Sequence, residues 1–299
     1  MAGSTVSRMD FGNFMRELRM RAGMTILASA MHLETSRQTL MRLEDGLPTK
    51  LATIHINSLL DLYSPDARTR QQALDLWKEV REQDKAAKAQ GNSKGFWRPY
   101  SDQVAPHFPK FLRLEATASR IIAHQLVIMP GLLQTPDYRR AIIRMYEPQL
   151  SPVDIERRIE LTAHRQARLD ESDFHLEVLL SEAVLRHCPA HPATMAAQLR
   201  WVAEAGERAN LSVRVIPFSV GPHPGLAMLT FTLLRFPAGA SGMTLPPVVY
   251  VEEAIGSVFH EHADVVDQYR QAIEGMRVVA LTEEGTRDFV FQIAKEYTV

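Results

Sequence analysis

Two capping residues, Thr25 and Ser36, each open a short run at helical spacing, so residues 25 to 46 fit two short helices joined by a tight turn. Upstream, Phe11, Phe14, Met15 and Leu18 recur at i, i+3, i+4 and i+7, which predicts an amphipathic helix ending near Ala22 and Gly23. The Ser36 hydroxyl can accept a hydrogen bond from a backbone N–H one turn into the second short helix. There Leu40 and Leu43 turn towards a core, and Arg37, Gln38 and Arg42 share the opposite face. Ile56, Leu59, Leu60 and Tyr63 continue the period and close a bundle before Ser64 and Pro65.

A helix with Arg and Gln at its N-terminal end suits a DNA major groove. Arg bonds a guanine edge bidentately and Gln an adenine edge, each worth roughly 1–3 kcal/mol of discrimination. Arg37, Gln38 and Arg42 are therefore expected to contact bases. Ser36, Thr39, Lys50, Arg16 and Arg19 are expected at the DNA backbone, where contacts add affinity without sequence information. Thr25, Ala30, Ser36, Arg37, Leu43, Glu44 and Gly46 stand where the Xre-type, phage-repressor-like helix-turn-helix has its characteristic residues, and the resemblance covers residues 11 to 63. Two positions depart from it: Ser29 replaces a buried Leu or Val, and Glu34 replaces a turn Gly. Ile26 and Leu27 are expected to shift the apolar face in compensation. A bundle that binds protein instead of DNA is the alternative.

Charge is unevenly distributed. The 299 residues carry a net charge of −1, yet residues 1–98 hold 15 Lys+Arg against 11 Asp+Glu and residues 99–299 hold 19 against 24. A surplus of +4 is modest for a nucleic-acid binder, which favours a homodimer on a two-part operator in double-stranded DNA. The single Cys188 excludes an intrachain disulfide and suits a reducing compartment. Residues 1–8 lack the apolar stretch of a signal peptide, and no apolar run approaches the ~20 residues that span a bilayer. The expectation is a cytoplasmic protein with no membrane partner.

Further along, residues 70–88 carry Leu74 and Trp77 on one side, as a bundle-closing helix, a dimer strut or a solvated surface helix would. The polar stretch from Gln90 to Gly95 has linker composition, so the division is 1–89, a DNA-binding domain; 90–98, a linker; and 99–299, a signal-receiving and dimerising domain. The last part reads as α+β. Helices are expected from Pro106 to Ala118, after Thr135-Pro136, after Ser151-Pro152 and from Pro192 to Gly206. Strands are expected over Arg120–Ile128, Phe174–Leu180, Leu211–Pro217, Leu226–Phe236 and Val248–Val251, and two closing helices follow, the last capped by Thr282. Phe174–Leu180, the helix after it and Leu211–Pro217 form one β-α-β unit, predicting parallel strands. The fold class is a mainly α helix-turn-helix bundle followed by an α+β domain.

Gly95 to Trp97, Leu114 to Ala116, Pro130 to Tyr138, Arg165-Gln166, Gln198-Leu199, Val215 to Phe218, Val249 to Glu252 and Ala280-Leu281 are similar to the signature of a large actinobacterial regulator family. Its members pair an Xre-type module with one C-terminal domain. They resemble WhiJ-type developmental regulators, and many look like the antitoxin half of a two-gene unit with a small partner protein encoded alongside. The resemblance implies transcriptional control of differentiation or secondary metabolism. A small-molecule-responsive regulator with an apolar pocket in the C-terminal domain is the second reading.

Signals for catalysis are weak. His187, Cys188, His191, His260 and His262 supply metal-ligand types, but a closed zinc site wants four ligands at correlated spacing. Glu252 and Glu253, adjacent on a strand, would point to opposite faces. No Gly-rich phosphate loop or G-x-S-x-G elbow is present. No catalytic residue, metal or cofactor is expected. The turn from Pro130 to Gln134 can line a ligand or partner site through Leu132, Leu133 and Gln134, or it can bury its leucines and fix the start of a helix. The loop from Val220 to Gly225, which carries His223, is either a binding loop or a stiff connection.

Overall fold

Local capping decides where the first helices begin. In the computed structural model, which describes residues 3–89, 98–105, 108–253 and 256–298, Thr25 Oγ1 accepts from Ala28 N at 3.1 Å and Ser36 Oγ from Thr39 N at 3.1 Å. The helices are α1 (Gly3–Arg21), α2 (Ile26–His32), α3 (Arg37–Glu44), α4 (Thr53–Tyr63) and α5 (Ala67–Ala89). One core joins them: Phe11, Phe14, Met15 and Leu18 meet Leu40 and Leu43, Ile56, Leu59, Leu60 and Tyr63, and Ala73, Leu76, Trp77 and Val80 from α5. The long helix therefore closes the bundle. Its Trp77 ring lies 5.1 Å from Phe11, and the indole N–H donates to Thr53 Oγ1 at 3.0 Å.

Two glycines are required by close approach. A Cβ on Gly12 would lie 2.5 Å from the Leu43 carbonyl, so α1 and α3 touch backbone to backbone there. Gly46 ends α3 with φ +64° and its Cβ would fall 2.6 Å from Met9 Cα. The chain divides into two units, residues 1–95 with Phe236–Leu245, and residues 96–235 with 246–299. Residues 236–245, which the sequence places in the second domain, thus belong with the first. Ser241 N–H donates to the buried Asp10 carboxylate at 2.8 Å, and Met243 packs on the bundle core. Most of the expected linker, residues 90–97, lies outside the described residues.

The second unit is α+β. Its strands are β1 (Arg120–Gln125), β2 (His175–Ser181), β3 (Leu211–Ile216), β4 (Phe231–Arg235), β5 (Val248–Glu252) and β6 (Ser257–His260), in sheet order β3-β2-β1-β4-β5-β6. β1, β2 and β3 run parallel, as the β-α-β reading expects, and β4, β5 and β6 continue antiparallel. The helices are α6 (Phe108–Thr117), α7 (Pro136–Tyr146), α8 (Pro152–Gln166), α9 (Glu182–Arg186), α10 (Pro192–Ala205), α11 (Gly225–Met228), α12 (Ala263–Val279) and α13 (Glu283–Glu296). Central strands are buried on both faces: β2 hides Leu176 through Leu180 without a break, the pattern of a sheet covered on both sides.

Two expectations change. Leu226–Phe236 is not one strand: residues 225–228 form a helical turn, Leu229 has φ +56°, and β4 starts at Phe231. Pro224 and Gly225 at its start hold the chain out of extended geometry. β6 was not expected, because four residues offer too short an alternation to read.

Candidate nucleic-acid interface

The geometry of α3 is set from behind. Glu44, 3% exposed, receives Arg19 Nε at 2.6 Å and Nη2 at 2.9 Å, while Arg19 Nη1 donates to the Met24 carbonyl at 2.9 Å. Arg16 adds contacts to Glu44 at 3.4 Å and Asp45 at 2.6 Å. The hydrogen bonds to Glu44 raise the Arg19 pKa above its ordinary value. These two arginines, expected at DNA phosphates, thus have carboxylate partners within the bundle. Arg19 is a clamp between α1 and the end of α3; Arg16, on a more exposed pair, remains near the surface.

The outer face of α3 is different. Arg37, Gln38, Met41 and Arg42 are all exposed, with Leu40 and Leu43 buried beneath. Among the described residues Arg37 and Gln38 have no side-chain partner, whereas Arg42 Nη2 donates to the Pro48 carbonyl at 3.0 Å. Ser36 and Thr39 hydroxyls lie 2.9 Å apart at the start of the helix, and Lys50 is exposed in the loop after it. Arg37, Gln38, Met41 and Arg42 share one face of α3. Met41, 41% exposed, joins them although sequence reasoning passed over it. Its position four residues after Arg37 was the available signal.

Glu34 and Ser29, singled out in the sequence, each have a distinct local setting. Glu34 adopts φ +50° where a glycine would carry no steric cost. Ser29 is completely buried, and its hydroxyl and that of Tyr63 face each other too loosely for a full hydrogen bond. Ile26 packs on the core as expected, but Leu27 is 57% exposed and does not.

In the second unit, the turn after Pro130 is a packed joint. Leu132, Leu133 and Gln134 are all buried, so they present no contact surface; burying their leucines leaves less apolar area in water than exposing them. Gln166 Nε2 donates to the Gln134 carbonyl at 2.7 Å. Gln198 donates to the Leu133 carbonyl at 2.6 Å and accepts from Thr135 N at 2.7 Å. Arg165, bidentate on Glu115 at 2.7 and 2.8 Å, would lie 3.0 Å from a Cβ on Gly131. The signature residues of this stretch therefore meet around one turn, and Gly95 to Trp97 lie outside the described residues.

His223 is half-buried on its loop with Nδ1 unpartnered, and its ring lies 6.5 Å from that of His124. His191 caps α10, accepting from Ala193 N at 3.3 Å, and His262 occupies the N-cap position of α12. Among the described residues no three His, Cys, Asp or Glu side chains gather as a metal site, and no helix is long and apolar enough to cross a membrane. An open groove of about 540 Å³ lies between α10, β3 and α13, rimmed by Glu207, Glu283, Glu284 and Arg287.

The class this defines is a protein with a capped helical bundle, presenting a basic helix, and an α+β domain built on a mixed six-stranded sheet. Residues 108–292 match the family described as a domain of unknown function (DUF5753), and the chain belongs to that family. No curated protein and no solved structure matches the chain.

Proposed function

We propose that the protein is a cytoplasmic, sequence-specific DNA-binding transcriptional regulator of Xre type, acting as a homodimer. The observation that carries this reading is the outer face of α3, where Arg37 and Gln38 stand exposed and unpartnered at the N-terminal end of a capped helix. Those are the residue types and the helix end that reach base edges. Arg42 and Met41 extend the same face, Met41 offering an apolar contact of the kind a thymine methyl accepts. Lys50, Ser36 and Thr39 flank it with backbone-binding groups.

Control enters through the second unit. The resemblance to WhiJ-like, antitoxin-like actinobacterial regulators supports a small protein encoded alongside as the signal and differentiation or secondary metabolism as the setting. Footprinting the purified protein on its own upstream region tests the reading. Protection of two half-sites about one helical turn apart, roughly 10–10.5 bp, is expected; uniform cleavage at every protein concentration would count against it.

A further inference from the structure

Residues 236–245 form an arm that is continuous with β4 and β5 at its two ends and belongs with the helical bundle. The arm holds its own shape. Ala238 and Thr244 bridge across it, Gly239 N–H donates to the Met243 carbonyl at 2.8 Å, and the tip turns at Gly242, whose φ is +75°.

The tip is docked on α1 and α5. Asp10 of α1, 3% exposed, accepts both the Ser241 backbone N–H at 2.8 Å and the Ser241 hydroxyl. Gln72 of α5 donates to the Ser241 carbonyl at 2.9 Å, and Met243 packs on the bundle core. A Cβ on Gly239 would overlap the Asp10 carboxylate, so only glycine lets the tip come this close. Docking takes a carboxylate out of water, and the charge-assisted bonds from Ser241 offset that loss. Withdrawing the arm returns the carboxylate to water, so docked and undocked arms differ in free energy by less than the gross strength of these bonds.

The stretch of α1 that receives the arm also holds the end of α3. Met9, beside Asp10, lies against Gly46, where a Cβ would fall 2.6 Å from the Met9 Cα. Gly12, one residue beyond Phe11, abuts α3 from the same stretch, with the Leu43 carbonyl 2.5 Å from a Cβ placed on it. Arm, α1 and α3 are therefore in continuous contact, and α1 meets α3 backbone to backbone.

We propose that residues 236–245 are a control arm: docked on Asp10 they hold α1 and, through it, α3 in the position that reads DNA, and the second unit lowers DNA affinity by withdrawing them. The effect on affinity rests on the DNA-reading role of α3; the link from the arm to α3 does not, and is measured without DNA.

Hydrogen exchange of the full chain, read by mass spectrometry, tests both. Gly239→Val expels the tip from Asp10, and Ser241→Ala is a milder change that removes only the hydroxyl. Without DNA, amides of the arm, α1 and α3 should exchange faster in both variants than in wild type, while those of β1, β2 and β3 keep their wild-type rates. Binding to the chain's own upstream DNA should weaken about tenfold in Gly239→Val, a change usual for coupled sites. Coupling is reciprocal, so saturating upstream DNA should in turn slow exchange of the wild-type arm, whereas an arm that only packs would exchange alike with and without DNA. Faster exchange of the arm with α3 at its wild-type rate would overturn the control arm, as would a wild-type arm indifferent to bound DNA, or variants that bind DNA as wild type does. If Gly239→Val exchanges faster in β1, β2 and β3 as well, it has lost its fold and Ser241→Ala decides by the same criteria. A wild type with no preference for the upstream DNA would remove the DNA-reading role, and α3 exchange in the variants would then decide alone whether the arm holds α3.

Discussion

Single residues carry measurable strain in this chain, and Glu34 is the clearest case. It turns the chain between α2 and α3 with φ +50°, a conformation that costs an L-residue roughly 1–2 kcal/mol and glycine almost nothing. Glu34→Gly should therefore stabilise the bundle by about 1 kcal/mol, offset in part by the greater freedom glycine gives the unfolded chain, and denaturant unfolding measures the net change. A loss of stability would show that the Glu34 side chain does more than its exposed position implies. His124 is a second case. It is fully buried on β1, its Nδ1–H donates to the Leu229 carbonyl at 2.6 Å, and its Nε2 has no partner. Burial above all holds its pKa below the ordinary 6.5. The unfolded chain then takes up the proton first, so stability is full above 6.5 and declines as pH falls from 6.5 towards the lowered native value. His223, also lowered by burial, adds to the same window. Urea midpoints measured about one unit either side of 6.5 should fall on the acid side, and His124→Asn should shrink that fall.

At the scale of elements, α3 is tied to α1 by an ion pair between buried Glu44 and half-buried Arg19. Glu44→Ala leaves the half-buried Arg19 without its carboxylate and should cost about 3 kcal/mol, the low end of the range for breaking a fully buried pair. Arg19→Ala on top of it should add little, and a double-mutant cycle reads the coupling. Full additivity would mean that the clamp contributes nothing specific. The elements themselves were largely legible in the sequence. Thr25, Ser36, Thr135, Ser151 and Thr282 cap the helices they were expected to cap, because a capping hydroxyl is a local signal. What the sequence hid was non-local. Arg19 reads as a surface cation until Glu44, far along the chain, is folded against it. Leu132 and Leu133 looked available for contact until Gln166 and Gln198 closed around their backbone. β6 and the helical turn at residues 225–228 were too short for periodicity to register.

For the whole molecule, the division of labour follows from which groups are left over. In the bundle, the buried carboxylates of Asp10 and Glu44 have partners, while Arg37 and Gln38 on the outside of α3 have none among the described residues. In the second unit the residues around Pro130 are committed to structure, with Leu132, Leu133 and Gln134 buried. The grouping of residues 236–245 with the first unit was not legible, since nothing in their composition points to Asp10. The proposed DNA-reading role of α3 can be tested in one measurement: binding isotherms of the full chain on its own upstream region and on unrelated DNA at two salt concentrations, for wild type and for Arg37→Ala/Gln38→Ala. Selective, salt-sensitive binding should be seen, with selectivity lost in the variant while a salt-dependent, non-selective component survives. Equal affinity of wild type and variant for the upstream DNA, or no preference over unrelated DNA by the wild type, would contradict a DNA-reading role for α3.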